Sequence, residues 1–335
     1  MKHRSSRHVL AAVAAALSLA VAACGATPAQ VAGDAAAAPE GFPLTVTNCG
    51  AQVTFDAPPE RVVLLSSSAV PFLADLGLLD KVVARAGAYP AAYYDQETQE
   101  ALDAIPLLTD ALDSSGHLQI SKETVLAQKP DLVLGEAENL TRETLGAAGI
   151  PLLDEPAMCP EGVTDPSFDD VAEQMTAYAR VFGVPEAGAR AAEAANDRVA
   201  AVRAAIADAP RRETRTAAVL YPTVGGGTTY AYGAHSMAQP QLEAAGLENV
   251  FGDVQERVFE VSLEELIGRD PDVLVLLHSD GDPAAVKKAV TSMNGADTLT
   301  AVSEDEILVQ LFNFTEPPTP LSIDGLEKIV EHFGR

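Results

Sequence analysis

Six of the seven tyrosines, Tyr89, Tyr93, Tyr94, Tyr221, Tyr230 and Tyr232, lie in or beside segments that come after short apolar runs. The same segments carry Ser66, Ser67, Ser68, Arg85, Glu136, His235, Ser236, the stretch His278 to Asp280 and the stretch Phe312 to Phe314. Ser67, Arg85, Tyr89, Glu136, Tyr221, Tyr230, Tyr232, His235 and Phe312 are the candidate ligand-binding residues. Aromatic groups with polar tips suit a large, flat, partly apolar guest held without covalent chemistry. Nucleophilic and nucleotide chemistry find no motif. Gly225-Gly226-Gly227 lacks the Lys-Ser/Thr of a P-loop and does not complete G-x-G-x-x-G. There is no G-x-S-x-G, H-E-x-x-H or C-x-x-C. His117 and the other histidines show no metal-ligand spacing, so neither a metal site nor a cofactor is expected.

These residues need elements to position them. The chain has 335 residues, 47% hydrophobic and 21% charged, enough for one large or two medium cores. A net charge of −26 repels phosphate backbones and excludes nucleic acid as a partner. Leu44 to Asn48 and Gln52 to Phe55 read as a hairpin around Asn48-Cys49-Gly50. Apolar runs at Arg61 to Leu65, Lys81 to Arg85, Leu132 to Leu134 and Ile150 to Leu153 alternate with helical patterns. The rhythm restarts at Thr216 to Tyr221, Asp272 to Leu277 and Glu306 to Gln310, and Pro320 to Phe333 reads as a closing helix. Strands alternating with helices predict α/β architecture with mainly parallel sheets, and ligands bind beyond the carboxyl ends of such strands. Between the halves, Phe168 to Phe182 is an amphipathic helix, and Glu186 to Asp208 carries one apolar stripe, Ala191, Ala195, Val199, Val202 and Ile206.

The halves echo each other. Ser121-x-Glu123 runs through Pro130-Asp131 to Leu-Val-Leu, and Ser262-x-Glu264 runs with identical spacing through Pro271-Asp272 to Val-Leu-Val. Each copy is an N-cap serine, a short helix, a terminating proline and a buried strand. A looser echo pairs Ala74 to Leu78 with Ala244 to Leu247. The expected organisation is a signal segment over 1–23, a tether over 24–43, an N-terminal lobe over 44–184, a connecting helix over 185–209 and a C-terminal lobe over 210–335.

Lys2, Arg4 and Arg7 precede an apolar run from Val9 to Val21, too short to span a bilayer comfortably. Leu19 to Cys24 resembles the bacterial lipobox, in which the chain is cut before the cysteine and its thiol is acylated. Gly25 to Pro43 is poor in apolar side chains that could order it and would reach on the order of 25 Å. With Cys24 acylated, Cys49 and Cys159 are an even pair in an oxidising compartment and are expected to bond.

From about residue 44 onward the sequence resembles the substrate-binding proteins of bacterial ABC importers for iron–siderophore complexes, haem and cobalamin. The residues that carry this are the lipobox, Pro59-Glu60-Arg61-Val-Val before the serine run, Leu76-Gly77 before Lys81-Val-Val, the paired Ser-x-Glu units and the long helix. The resemblance implies two lobes joined by one helix, a guest between them and only small opening motions. It implies that Glu123 and Glu264 dock against the arginines of a permease dimer served by ATPase subunits. It also implies a monomer without enzymatic activity, anchored to the membrane outside the cytoplasm. Both glutamates fall in the first turn of a helix, where the dipole stabilises a carboxylate, and Glu265 reads as a capping-box partner. Arg85 as the one clear cation in the candidate loops disfavours a ferric tricatecholate. A hydroxamate or mixed siderophore of low charge fits better, with haem and cobalamin as alternatives. A chelatase-like enzyme on a related scaffold and a surface adhesion module are the readings from other classes.

Overall fold

The computed structural model describes residues 39–111, 118–160, 162–210, 213–279 and 281–334. The signal segment, Cys24, the tether up to residue 38, His117 and Asp280 lie outside the described residues.

Valine and leucine runs with no solvent-facing side make strands buried on both faces. In the first half these are β3, introduced after the hairpin β1 (Leu44–Asn48) and β2 (Ala51–Phe55), and its neighbours. The order is β3 (Val62–Leu64), α1 (Val70–Asp75), β4 (Val82–Arg85), α2 (Gln96–Ala104), α3 (Lys122–Leu126), β5 (Leu132–Leu134), α4 (Arg142–Gly146) and β6 (Leu152–Leu153). The four strands pair β4-β3-β5-β6, all parallel. Helices α5 (Asp169–Val181) and α6 (Pro185–Asp208) come next.

The second half is β7 (Thr216–Pro222), β8 (Thr229–Tyr232), α7 (Ala238–Ala244), β9 (Glu248–Asn249), β10 (Val258–Val261), α8 (Leu263–Arg269), β11 (Val273–His278), α9 (Pro283–Thr291), α10 (Thr300–Ser303), β12 (Ile307–Leu311) and α11 (Pro320–Phe333). Its sheet is mixed. β7, β11 and β12 run parallel in that order, and β9 lies parallel beside the start of β7. β8 and β10 are antiparallel additions on the far side of β7. From its residues alone the segment from Gly225 to Tyr232 reads as loop. It is instead a hairpin turn, with Gly225, Gly226 and Gly227 at φ of 90°, 96° and 141°, leading into a strand of β-prone Thr and Tyr.

The sequence repeat is a structural repeat. Ser121 caps α3 by accepting from the Thr124 N–H, and Ser262 caps α8 by accepting from the Glu265 N–H. Each helix is followed by a left-handed residue, Lys129 at φ 52° and Asp270 at φ 41°. The aspartate after each proline then pins the start of the adjacent strand. Asp131 accepts from the Glu60 and Arg61 N–H groups at 2.9 and 2.8 Å, and Asp272 accepts from the Thr216 N–H at 2.7 Å. The looser echo is also real: Leu78 N–H donates to Leu73 O, and Leu247 N–H donates to Leu242 O, closing α1 and α7 over left-handed Gly77 and Gly246.

Helix α6 has 24 residues and is about 36 Å long. Ala195 and Val199 of its stripe are buried, with Ala191 and Val202 at the margin. At Gly188 an added Cβ would lie 2.2 Å from that of Ala179, so α5 and α6 touch backbone to side chain there. Arg198 reaches from α6 to Asp324 and Glu327 of α11 at 2.6 and 2.8 Å. One apolar core runs continuously from Val62 and Leu132 through Met175 and Val199 to Val219 and Ile329, while each sheet keeps a private core on its other face.

Candidate functional site

The carboxyl ends of strands from both sheets converge on one cavity of about 370 Å³. Leu65, Ser66 and Ser67 follow β3, Gly87, Ala88, Pro90 and Tyr93 follow β4, Glu136 follows β5, and Asp154 and Met158 follow β6. Ser279 after β11 and Asn313 after β12 face them from the second sheet. Close approach of the tips is built in at Gly135, whose φ is +91° and whose hypothetical Cβ would lie 3.0 Å from the Ser66 Cβ. A larger concavity of about 700 Å³ lies on the flank of edge strand β12, between Leu308, Gln310, His278, Lys328 and His332. Its lining follows β12 and α11 and also reaches Gly281 and Phe314 beyond the ends of β11 and β12 and Ala92 of the first half.

A direct bridge crosses the seam. The Tyr93 hydroxyl donates to Asn313 Oδ1 and accepts from the Asn313 N–H, both at 2.9 Å. Tyr93 also packs edge-on against Phe314, with ring centroids 5.2 Å apart.

Of the sequence candidates, Ser67 and Glu136 line the cavity. Tyr221 stands beside it, donating to Ser279 Oγ at 3.1 Å and meeting Phe312 edge-on at 6.1 Å. Tyr232 backs Phe312 at 6.5 Å and is buried, which together with nearby Glu316 pushes its phenol well up. Tyr230 is the cross-strand partner of Tyr221 and is 37% exposed. His235 lies in the turn after β8, outside the cavity lining.

Arg85 and Tyr89 are not in the lining. Arg85 Nε donates to the Leu102 carbonyl at 3.1 Å, and the guanidinium sits 5.0 Å from the Tyr89 ring centre. Tyr89 spends its hydroxyl on the Ala86 carbonyl at 3.1 Å, and burial raises its pKa. Both residues brace the strand tip.

Sequence reasoning misses Asp154 and Met158, and it places Tyr93, Ser279 and Asn313 in candidate segments without singling them out. Asp154 carries a signal that could have found it, since it stands directly after Leu153 at the end of β6.

Asp154 is 7% exposed. Asn48, from the hairpin, grips its backbone twice: Nδ2 donates to the Asp154 carbonyl at 2.8 Å and Oδ1 accepts from its N–H at 2.9 Å. Asp154 Oδ1 accepts from the Glu155 N–H at 2.9 Å. Burial pushes its pKa to about 6, the Glu155 N–H opposes this, and Glu136 adds to it. Behind it Glu155 is enclosed, its carboxyl raised to about 8 by burial and accepting from the Tyr178 hydroxyl at 2.9 Å. Cys49 and Cys159 are joined in this corner as a disulfide, with Cα atoms 5.1 Å apart. Among the described residues no group of three or more His, Cys, Asp or Glu could hold a metal, and no helix is long and apolar enough to cross a membrane.

Glu123 and Glu264 each occupy the second position of a helix and are exposed. The capping box expected at Glu265 is not completed. Its carboxylate faces Arg269, one turn on, at 3.5 Å, where a cation competes with the backbone N–H.

Two α/β sheets with tips facing one cleft, locked to a single helix, define a ligand-holding class of protein. Residues 62–309 match the family model described as periplasmic binding protein, and the chain belongs to that family. The crystal structure of an ABC-type Fe3+-hydroxamate transport system from Saccharomonospora viridis is 60% identical, covering 88% of this chain and 100% of that one, with a TM-score of 0.81. A cobalamin-binding protein of Halobacterium salinarum is 27% identical over 302 residues, 87% of this chain and 74% of its own. A periplasmic haem-binding protein from Roseiflexus sp. RS-1 shares the fold, at 23% identity and a TM-score of 0.64 over 82% of this chain and 97% of its own. The chain is a binding protein rather than an enzyme, and its family places it outside the cytoplasm.

Proposed function

We propose that this chain is the lipid-anchored substrate-binding component of an ABC importer, capturing a ferric siderophore of hydroxamate or mixed type between its sheets. It acts as a monomer and delivers the chelate to a permease dimer docked at Glu123 and Glu264. The observation that carries this reading is the inter-sheet cleft in a chain 60% identical to a protein named for Fe3+-hydroxamate transport. The Leu19 to Cys24 string supports acylation, and an extracytoplasmic location favours the Cys49–Cys159 bond. A cleft of about 370 Å³ matches a compact chelate better than a corrinoid, most of which would stand outside it.

The chain contains no Trp, so its emission is that of tyrosine, and Tyr93 and Tyr221 flank the cleft. Titration with a ferric hydroxamate, a ferric catecholate, haem and cobalamin should quench this emission saturably with the hydroxamate at the lowest concentration. Tighter binding of haem or cobalamin would replace the reading by one of its alternatives. Turnover of any of them would replace it by a chelatase.

A further inference from the structure

We propose that the cleft selects its chelate for positive charge, seating a cationic arm of the ligand against the carboxylates of Asp154 and Glu136. This rests on the reading of the cleft as a chelate site and names the substrate class within it.

Among the described residues, the cavity lining holds two charged side chains, and both are acidic. The nearby cations are turned to other tasks. Arg85 is bound to Leu102 and Tyr89, and Lys122 donates to the Thr144 carbonyl at 2.5 Å. Arg142, behind the acidic corner, donates to the Leu152 carbonyl at 2.6 Å and to Asn48 Oδ1 at 2.7 Å. Asp154 is therefore a buried carboxylate with its backbone clamped by Asn48 and Oδ1 occupied by the Glu155 N–H, while Oδ2 has no hydrogen-bond donor among the described residues. Asp154 Oδ2 is not among the enclosed side-chain atoms that lack a partner and belongs to a residue that lines the cavity, so a cation arriving with the ligand can pair with it there. An anionic guest, whether a catecholate chelate or a porphyrin with free propionates, meets repulsion in the same place.

The groups facing Asp154 are Glu136 beyond β5, Arg142 on α4, and Glu155 beside it, with Tyr178 of α5 bonded to Glu155. Asp154 is charged at neutral pH, and its raised pKa makes cation binding weaken as pH falls below about 6.

The test uses the full chain and three linear ferric trihydroxamates with one iron-binding backbone, ending in a free primary amine, its N-acetyl derivative and its N-succinyl derivative. Calorimetry should find the amine form at least about tenfold tighter than the acetyl form and the succinyl form weakest. In Asp154→Asn the amine-to-acetyl ratio should collapse toward one, and in the exposed-site variant Glu136→Gln it should shrink, which keeps the test open should Asp154→Asn fold poorly. Equal affinity for amine and acetyl forms, or preference for the succinyl form, overturns the charge selection while leaving the hydroxamate reading standing. Failure of all three to bind overturns the hydroxamate reading beneath it.

Discussion

Glu155 holds a carboxyl where water does not reach, with the Tyr178 hydroxyl donating to it. Its pKa is raised from 4.5 to about 8, so between those values the folded state keeps a proton that the unfolded chain releases. The stability it contributes is complete below about pH 4.5, declines as pH rises, and is lost once pH passes about 8. Glu155→Gln cannot ionise. It should match the parent in urea unfolding at pH 5 and exceed it by about 1–3 kcal/mol at pH 9. An equal loss of stability from pH 5 to pH 9 in both proteins would refute this. At this scale the sequence is only partly legible. Ser67 and Glu136 follow strands and line the cleft as expected from that position alone. Arg85 ends a strand too, but whether it faces the ligand depends on a carbonyl 17 residues away, which no local pattern encodes.

The elements were far more readable, because capping, helix termination and burial of strands are local. The Ser-x-Glu…Pro-Asp unit specifies a cap, a left-handed stop and a pinned strand twice over, at Asp131 and at Asp272. The β7–β8 hairpin escaped because three consecutive glycines advertise a loop, and Thr229–Tyr232 is a strand because it pairs with β7 on one side and with β10, distant in sequence, on the other. Glycines also separate local strain from site geometry. Gly77 is left-handed with open space around it, whereas Gly135 is left-handed and packed against Ser66. Gly77→Ala should cost about 1 kcal/mol and leave ligand affinity unchanged. Gly135→Ala should cost about 2–3 kcal/mol and weaken binding as well, since the β3 tip must move. Thermal melts paired with the fluorescence titration distinguish the two, and equal affinity losses would show that the tips are not coupled to the site.

Across the whole molecule, α6 gives both halves one rigid reference, and Arg198 and the shared core fasten it on the second side. The exposed positions of Glu123 and Glu264 then keep a fixed separation, which suits docking on a symmetric partner. Reversing both, in Glu123→Arg with Glu264→Arg, should abolish siderophore-dependent growth under iron limitation while the ligand Kd stays within about twofold of the parent. Full growth would refute the docking role. The two-half design was visible in the sequence as a repeat, but the bridge between Tyr93 and Asn313 joins positions 220 apart and could only be seen once folded. The first hairpin, finally, has a mechanical meaning. The chain enters it from the N-terminal side, and it is fastened to the first half at Asn48 and again at Cys49. If Cys24 carries the proposed lipid, a pull on the chain ahead of the hairpin would pass through this doubly fastened corner into the first sheet and not into the proposed binding cleft.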